Sequence, residues 1–346
     1  MALHADWSVQ ASKRWMTIAR RCCGGWIVTE PEPVGPVDTL LARLRRLAAD
    51  AALPSGGAIA FGIDCPLGLP RAFIARHPGV GSSFRDFLGM LAAGNGLVGS
   101  PSPPEFLDVC AALHEVSAKR PFYPRSAVRG MSRAAHAAAL GLAGAGALLR
   151  HCDRATATRP AGAPVFWTLG ANQSGKAAIA AWRDLLLPAL AAEPHRLRLW
   201  PFDGTLAACA ADAADQPGLV TLAETYPAEA LDQLGLRIAR SGHAPAVRGS
   251  KRRQADRAAL GPALLASLGR FGALADDRLR DMALAGFGSD AAGEDRFDSV
   301  AGLLCVLSVL GGQRCDQIPG DAWVQGWEGW VLGQCLGLPR QTTSGA

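Results

Sequence analysis

The run Ala58 to Asp64, AIAFGID, followed at once by Cys65, Pro66, Leu67, Gly68, Leu69 and Pro70, constrains this chain more than any other segment. A continuous apolar run bounded by turn residues reads as a central strand covered on both faces, the habit of a parallel sheet. Its closing carboxylate then sits at the strand's carboxyl end, where open α/β sheets place their ligands. The competing role for Asp64 is a turn-initiating aspartate ahead of Pro66.

Other strands are legible around it. From Ala2 to Val9 the apolar Leu3, Ala5, Trp7 and Val9 alternate with His4, Asp6 and Ser8, the period of a half-buried strand, so Asp6 faces away from Trp7, toward a site or toward solvent. Trp15 to Ala19 and Trp26 to Thr29 are two further strand-like runs, and Gly24 and Gly25 between them suit a hairpin turn. After the proline-rich stretch Pro31 to Pro36, Leu40, Leu41, Leu44 and Leu47 recur at helical spacing within Val37 to Ala52. Leu219 to Glu224, LVTLAE, reads as a strand ended by Thr225, Tyr226 and Pro227. Glu224 is thus a second acid at a strand end, with a partnership to a nearby arginine as its competing role. Asp298 to Leu310 is apolar all round, the pattern of a buried helix, and is opened by Asp295 and Asp298. Capping is the competing role for both acids.

At 346 residues the chain exceeds the usual size of one domain. Arg71 to Pro217 is mostly alanine-rich helical signal broken by Gly and Pro clusters, and no repeat of fixed period is visible. The expected organisation is therefore a first part of the core over residues 1–70 (strands 1–4), a mostly helical insertion over 71–217, and the rest of the core over 218–346. With 49% hydrophobic and 19% charged residues the chain falls in the globular class, not the disordered one. Nine scattered cysteines, an odd number with no C-x-x-C pair, point to reduced thiols. No stretch of about 18 uninterrupted apolar residues occurs, and His4 and Asp6 interrupt the start of the chain. The expectation is a cytoplasmic protein without a membrane span.

Four segments together resemble a known family: the strand carrying Asp6, FGIDCPLGLP at Phe61 to Pro70, ETYPAEA at Glu224 to Ala230, and DRFDSVAGL at Asp295 to Leu303. In that order they look like the predicted RNase H-like nuclease family known as domain-of-unknown-function family 429. The resemblance covers roughly the first 70 residues and those from about 218 onward. It implies an α/β fold of RNase H-like type, a mixed five-stranded sheet with flanking helices and a large helical insertion. It also implies a site in which acids from the first strand, the fourth strand and the last helix converge on divalent metal. By that resemblance Asp6, Asp64 and Asp298 are the principal ligands, Glu224 joins them, and Asp295 is a possible substitute.

The chemistry of such a set is consistent with hydrolysis of a nucleic-acid phosphodiester. Mg²⁺ and Mn²⁺ choose oxygen ligands, activate a water and stabilise a leaving oxygen. Without metal, clustered carboxylates repel and their pKa values rise. The expected substrate is RNA, an RNA–DNA hybrid or branched DNA. The net charge of +5 is compatible with a polyanion without demanding one. Arg248, Lys251, Arg252, Arg253 and Arg257 form a dense basic run that could follow a phosphate backbone, and Lys119, Arg120, Arg125, Arg129 and Arg133 form a second. For both, a solvated charged face is the alternative. Trp323, Trp327 and Trp330 read as packing residues before base-stacking ones.

Two other functions compete: a nucleotide-binding ATPase or phosphotransferase, and a non-catalytic interaction protein. The first rests on Gly170 to Lys176, GANQSGK, which fits the G-x-x-x-x-G-K phosphate loop between the strand-like Pro164 to Leu169 and the helical Ala177 to Leu187. Ala177 stands where a Mg²⁺-binding hydroxyl belongs. The seven histidines are isolated and Ser174 lies in no G-x-S-x-G elbow, which argues against zinc and serine-nucleophile mechanisms.

Overall fold

A computed structural model of the chain describes residues 1–22, 24–50, 57–79, 81–94, 103–124, 132–156, 159–169, 173–243 and 247–335. The N-terminal alternation forms β1 (Ala2–Asp6), which pairs antiparallel with β2 (Trp15–Cys22). β2 in turn pairs antiparallel with β3 (Gly25–Val28). Gly24 turns the chain between them at φ +87°, a conformation that side chains with a Cβ rarely adopt. β4 (Glu32–Pro33) is a short antiparallel partner of β2, tolerable for a proline because it lies off the main path of the sheet. The apolar run becomes β5 (Ile59–Ile63), parallel to β1.

β6 (Leu197–Trp200) and β7 (Val220–Glu224) continue the sheet in parallel, β7 beside β5 and β6 beside β7. β8 (Ala273–Ala275) runs parallel to β3 at the other edge. The sheet is mixed and eight-stranded, in the order β6-β7-β5-β1-β2-β3-β8 with β4 beside β2. Five strands were expected. The additional ones were missed because β4, β6 and β8 are two, four and three residues long, too short for a period of two to stand out.

The apolar helix also differs from expectation, beginning at Gly293 instead of near Asp298 and ending at Leu310. It packs on β1, β2 and β5. That packing buries the polar row of β1, which a half-buried strand would have turned to water. His4 is fully buried, its Nδ1 3.1 Å from the carbonyl of Ser299, and Thr17 Oγ1 lies 2.7 Å from Ser299 Oγ. Close approach needs glycine on both sides of the interface. A Cβ at Gly302 would run into the His4 ring, and one at Gly62 would lie 2.6 Å from Val306 Cγ2. On the opposite face of β1, Leu3 and Ala5 are buried as well. The helix foreseen over Val37 to Ala52 is Leu40–Asp50, which packs against β5 and buries Leu40, Leu44 and Ala48; Ala51 and Ala52 lie outside the described residues.

The chain divides into two compact units. One comprises Met1–Pro66, Ala177–Asp316 and Val331–Gly333, and contains the whole sheet. The other comprises Leu67–Lys176, Gln317–Trp330 and Gln334–Ala346. The expected insertion over 71–217 therefore differs in extent. The chain returns to the sheet unit at Ala177, because Leu197–Trp200 supplies a strand beside β7.

The second unit is built on short helices and an aromatic core. Phe73 meets Phe166 at 4.9 Å between ring centroids, Phe87 meets Phe106 at 4.9 Å and Phe122 meets Phe166 at 5.4 Å, all edge to face. Arg150 is buried with Asp153, bonding it through Nε at 2.9 Å and Nη2 at 3.0 Å, and also donates to the carbonyl of Leu67 at 3.0 Å. Trp327 and Trp330 are buried, as a packing role requires. Among the described residues no helix is long and apolar enough to cross a membrane.

Candidate functional site

Parallel pairing of β1 with β5 and of β5 with β7 brings three carboxyl ends to one edge of the sheet. Asp6 is the last residue of β1. Ala5 pairs with Ile63 on β5, and the backbone N–H of Asp64 donates to the carbonyl of Ala5 at 3.0 Å, so Asp6 and Asp64 occupy neighbouring strand ends. Ile63 pairs in turn with Glu224, the last residue of β7, which is fully buried. From above the sheet, the Gly293–Leu310 helix contributes Asp295 in its first turn and Asp298 in its second, three residues apart and thus on one face. The cap position is Ala292, and no side chain caps the helix, so neither aspartate is held there as a cap.

These acids sense one another. The Asp6 carboxyl is pushed well above the usual carboxylate range, by burial first and then by the charges of Asp298, Asp64 and Asp295. Burial and Asp298, with a smaller push from Glu224, raise Asp64 to about 7. Asp295 rises to about 6, mainly by burial, and Asp298 is raised chiefly by burial. Burial strips water from each anion while leaving the neighbouring negative charges nearly unscreened, so both effects favour the protonated form.

One cation is built into the cluster. Lys251 Nζ donates to Asp298 Oδ2 and lies 3.4 Å from Glu294 Oε1. Burial alone would lower the pKa of Lys251, but the charge and hydrogen bond of Asp298 outweigh it and the ammonium is held above its ordinary range. Lys13 also acts on Asp295. Neither lysine was foreseen as part of the site. Lys251 was legible only as one member of a basic run, and no local pattern distinguishes it from Arg252.

The loops behind the strand ends are firmly tied. After β1, Arg14 donates from Nε to the carbonyl of Ser8 at 2.5 Å and from Nη2 to Asp184 at 3.0 Å, and its guanidinium lies 4.8 Å from the Trp7 ring centroid. After Asp64, Trp182 Nε1 donates to the carbonyl of Pro66 at 2.9 Å. Both loops are thus tied to the Trp182–Leu186 segment.

The donor set fits a hard divalent cation in kind, because every member is a carboxylate. Two oxygens also await a partner, as Asp298 Oδ1 and Asp295 Oδ2 are buried without a hydrogen bond. Among the described residues no three His, Cys, Asp or Glu side chains stand at the spacing of a closed metal shell. Asp298 is engaged by Lys251.

The basic run does not present a single face. Arg257 is buried and donates to the carbonyls of Gly286 at 2.9 Å, Gly288 at 2.7 Å and Lys251 at 2.5 Å, so its assignment to nucleic-acid binding is corrected to a structural one. Arg252 and Arg253 are exposed, at 73% and 47% of the side chain, with Arg253 3.6 Å from Asp256. In the second basic stretch Arg120 pairs with Asp108 at 2.7 Å and Arg133 stacks over Trp167 at 5.1 Å, while Arg125 and Arg129 lie outside the described residues.

The phosphate-loop motif loses its context. Pro164 to Leu169 forms no strand, and the helix begins at Ser174, earlier than Ala177. Ser174 Oγ donates to the carbonyl of Pro164 at 2.7 Å, and a Cβ at Gly175 would lie 2.8 Å from the carbonyl oxygen of Trp167. Gly175 therefore serves close packing of a turn on a helix. Gly170, Ala171 and Asn172 lie outside the described residues.

No known protein family, curated protein or solved structure matches the chain. The class that fold and site define is accordingly an α/β protein with a carboxylate cluster at the carboxyl edge of a mixed sheet.

Proposed function

We propose that this chain is a metal-dependent nuclease with an RNase H-like core, hydrolysing a nucleic-acid phosphodiester with Mg²⁺ or Mn²⁺. Asp6, Asp64 and Asp298 would hold the metal, with Glu224 and Asp295 beside them. One observation carries the reading: the register of β1, β5 and β7 and the seating of the Gly293–Leu310 helix bring Asp6, Asp64, Glu224 and Asp298 to one end of the sheet, where the charge of Asp298 adds to burial in pushing up both Asp6 and Asp64. Such mutual repulsion costs stability, which makes the cluster hard to explain as a device for folding and easy to explain as a device for binding a cation.

The strand order supports the same reading. Within the sheet, β3-β2-β1 is an antiparallel meander, and β5 and β7 follow beside β1 in parallel. That arrangement sets the acid of the first strand next to the acid that follows the fourth strand expected from the sequence. When bound, the metal would activate water and stabilise the leaving oxygen. The protein's own part is to hold the ligands rigidly and to keep the cluster partly dry. Arg252 and Arg253 are the exposed members of the basic run and the candidates for touching phosphates.

The test is cleavage of RNA, RNA–DNA hybrid and branched DNA with Mg²⁺ or Mn²⁺. Asp64→Asn is expected to abolish cleavage with an unchanged circular-dichroism spectrum. A variant that cleaves as fast as the parent overturns the assignment.

A further inference from the structure

We propose that Lys251 is the resident counter-ion of the carboxylate cluster, and that a divalent cation binds by displacing its ammonium from Asp298. The inference rests on the metal-site reading and adds to it the residue that competes with the metal.

Three features of the geometry carry it. First, Lys251 is the member of the basic run that hydrogen-bonds Asp298, and it lies 3.4 Å from Glu294, whereas Arg252 reaches Glu294 alone, at 3.9 Å. Second, its single charge leaves the cluster unsatisfied. Asp298 is nearly fully buried, and its Oδ1, like Asp295 Oδ2, has no hydrogen-bond partner. A divalent ion offers twice the charge and several coordination positions, where the ammonium reaches Asp298 through Oδ2 and leaves Oδ1 unbonded. Third, the lysine has somewhere to go. Its side chain is 36% exposed, so the ammonium can rehydrate without crossing the core.

The backbone, by contrast, is pinned. Asp256 accepts the N–H groups of Ser241 and Ser250 at 2.9 Å each, and Arg257 Nη1 donates to the carbonyl of Lys251. Exchange is therefore a rotation of one long, flexible side chain and needs no loop opening. Once released, the ammonium stands at the mouth of the cluster.

Two measurements on the full chain test this. Free Mn²⁺ is followed by electron paramagnetic resonance during titration of the parent and of Lys251→Met. The variant is expected to bind about tenfold more tightly, the loss of roughly one competing ion pair. In the parent, acetic-anhydride labelling of Lys251 read by mass spectrometry should rise on saturation with Mn²⁺, with exposed Lys119 as the internal reference. The labelling needs no variant, so it decides the matter if Lys251→Met does not fold. Equal or weaker binding by the variant together with unchanged labelling overturns the exchange while leaving the metal site in place. No Mn²⁺ bound by either protein overturns the metal site itself, and the exchange with it.

Discussion

Lys251 donates its ammonium to the Oδ2 of Asp298, so a residue from a run that reads as a surface charge patch is the counter-ion of a buried acid in the carboxylate cluster. The same cluster holds Asp6, Asp64 and Asp295 at raised pKa. Burial and neighbouring carboxylates push these groups up even though Lys251 and Lys13 act against them, and that crowding has measurable consequences.

Removing one negative charge should relieve that repulsion. In metal-free buffer near pH 8, Asp6→Asn and Asp64→Asn are expected to raise the melting temperature, each by a few degrees, the scale set by about 1 kcal/mol in a chain of this size. Added Mn²⁺ should stabilise the parent more than either variant. A turn- or helix-capping aspartate has the opposite sign, because losing it costs about 0.5 to 2 kcal/mol. Melting curves with and without Mn²⁺ separate the two, and lowered or unchanged midpoints with no selective Mn²⁺ response would sink the shared site.

The pH dependence follows from the same shifts. Asp64 is raised from an ordinary 3.8 to about 7 in the folded protein. Its folded form therefore keeps a proton that the unfolded chain releases, so its stabilising contribution is complete below about pH 4 and is lost as pH rises through about 7. His4 and His136 are lowered by burial to about 3 and about 4 and act in the opposite direction, but they are present in parent and variant alike. The stability of Asp64→Asn relative to the parent, from urea melts in chelator, should thus grow from about pH 4 to about pH 7 and level off above it. A difference that is flat over this range would show that Asp64 titrates normally.

The basic run should divide by exposure. Arg252→Ala with Arg253→Ala is expected to change stability by less than about 0.5 kcal/mol while weakening nucleic-acid binding for all sequences. The salt dependence should flatten by up to about 0.9 per lost phosphate contact on duplex DNA. Arg257→Ala should instead destabilise by roughly 2 to 4 kcal/mol, since it leaves the buried carbonyls of Gly286 and Gly288 without their donor. Chemical melts and salt titrations together distinguish these behaviours, and an Arg257→Ala protein as stable as the parent would contradict the structural role.

Gly302→Ala tests the seating of the helix that carries Asp295 and Asp298. Alanine normally favours a helix over glycine by about 1 kcal/mol. Here its Cβ would run into the buried His4 ring, so a net loss of about 2 kcal/mol or more is expected. Urea unfolding reads the sign directly: a stabilised variant would mean that the helix does not press on β1 at His4.

Short-range pattern by itself determined a good deal of this protein. Alternation announced β1, helical spacing of leucines the Leu40–Asp50 helix, and apolar runs between turn residues β2, β3, β5, β7 and the all-apolar helix ending at Leu310. Asp64 and Glu224 could be singled out because an acid ending an apolar strand is a local feature, whereas Asp6, read inside a strand over Ala2 to Val9, is picked out by the family resemblance and becomes a strand end only in the structure. Only the tertiary structure decided the rest. β4, β6 and β8 are held by their neighbours in the sheet and are too short to carry a period of their own. The polar row of β1 became interior because a helix from the far end of the chain lies on it through Ser299 and Gly302. A basic run has no intrinsic direction, so the sequence could not say that Lys251 turns onto Asp298, Arg257 onto backbone carbonyls, and Arg252, largely exposed, toward Glu294. Nor could a glycine-rich motif say that it lacks its strand. Periodicity records which face of an element is apolar, but partners distant in sequence decide what covers that face and which charges meet there.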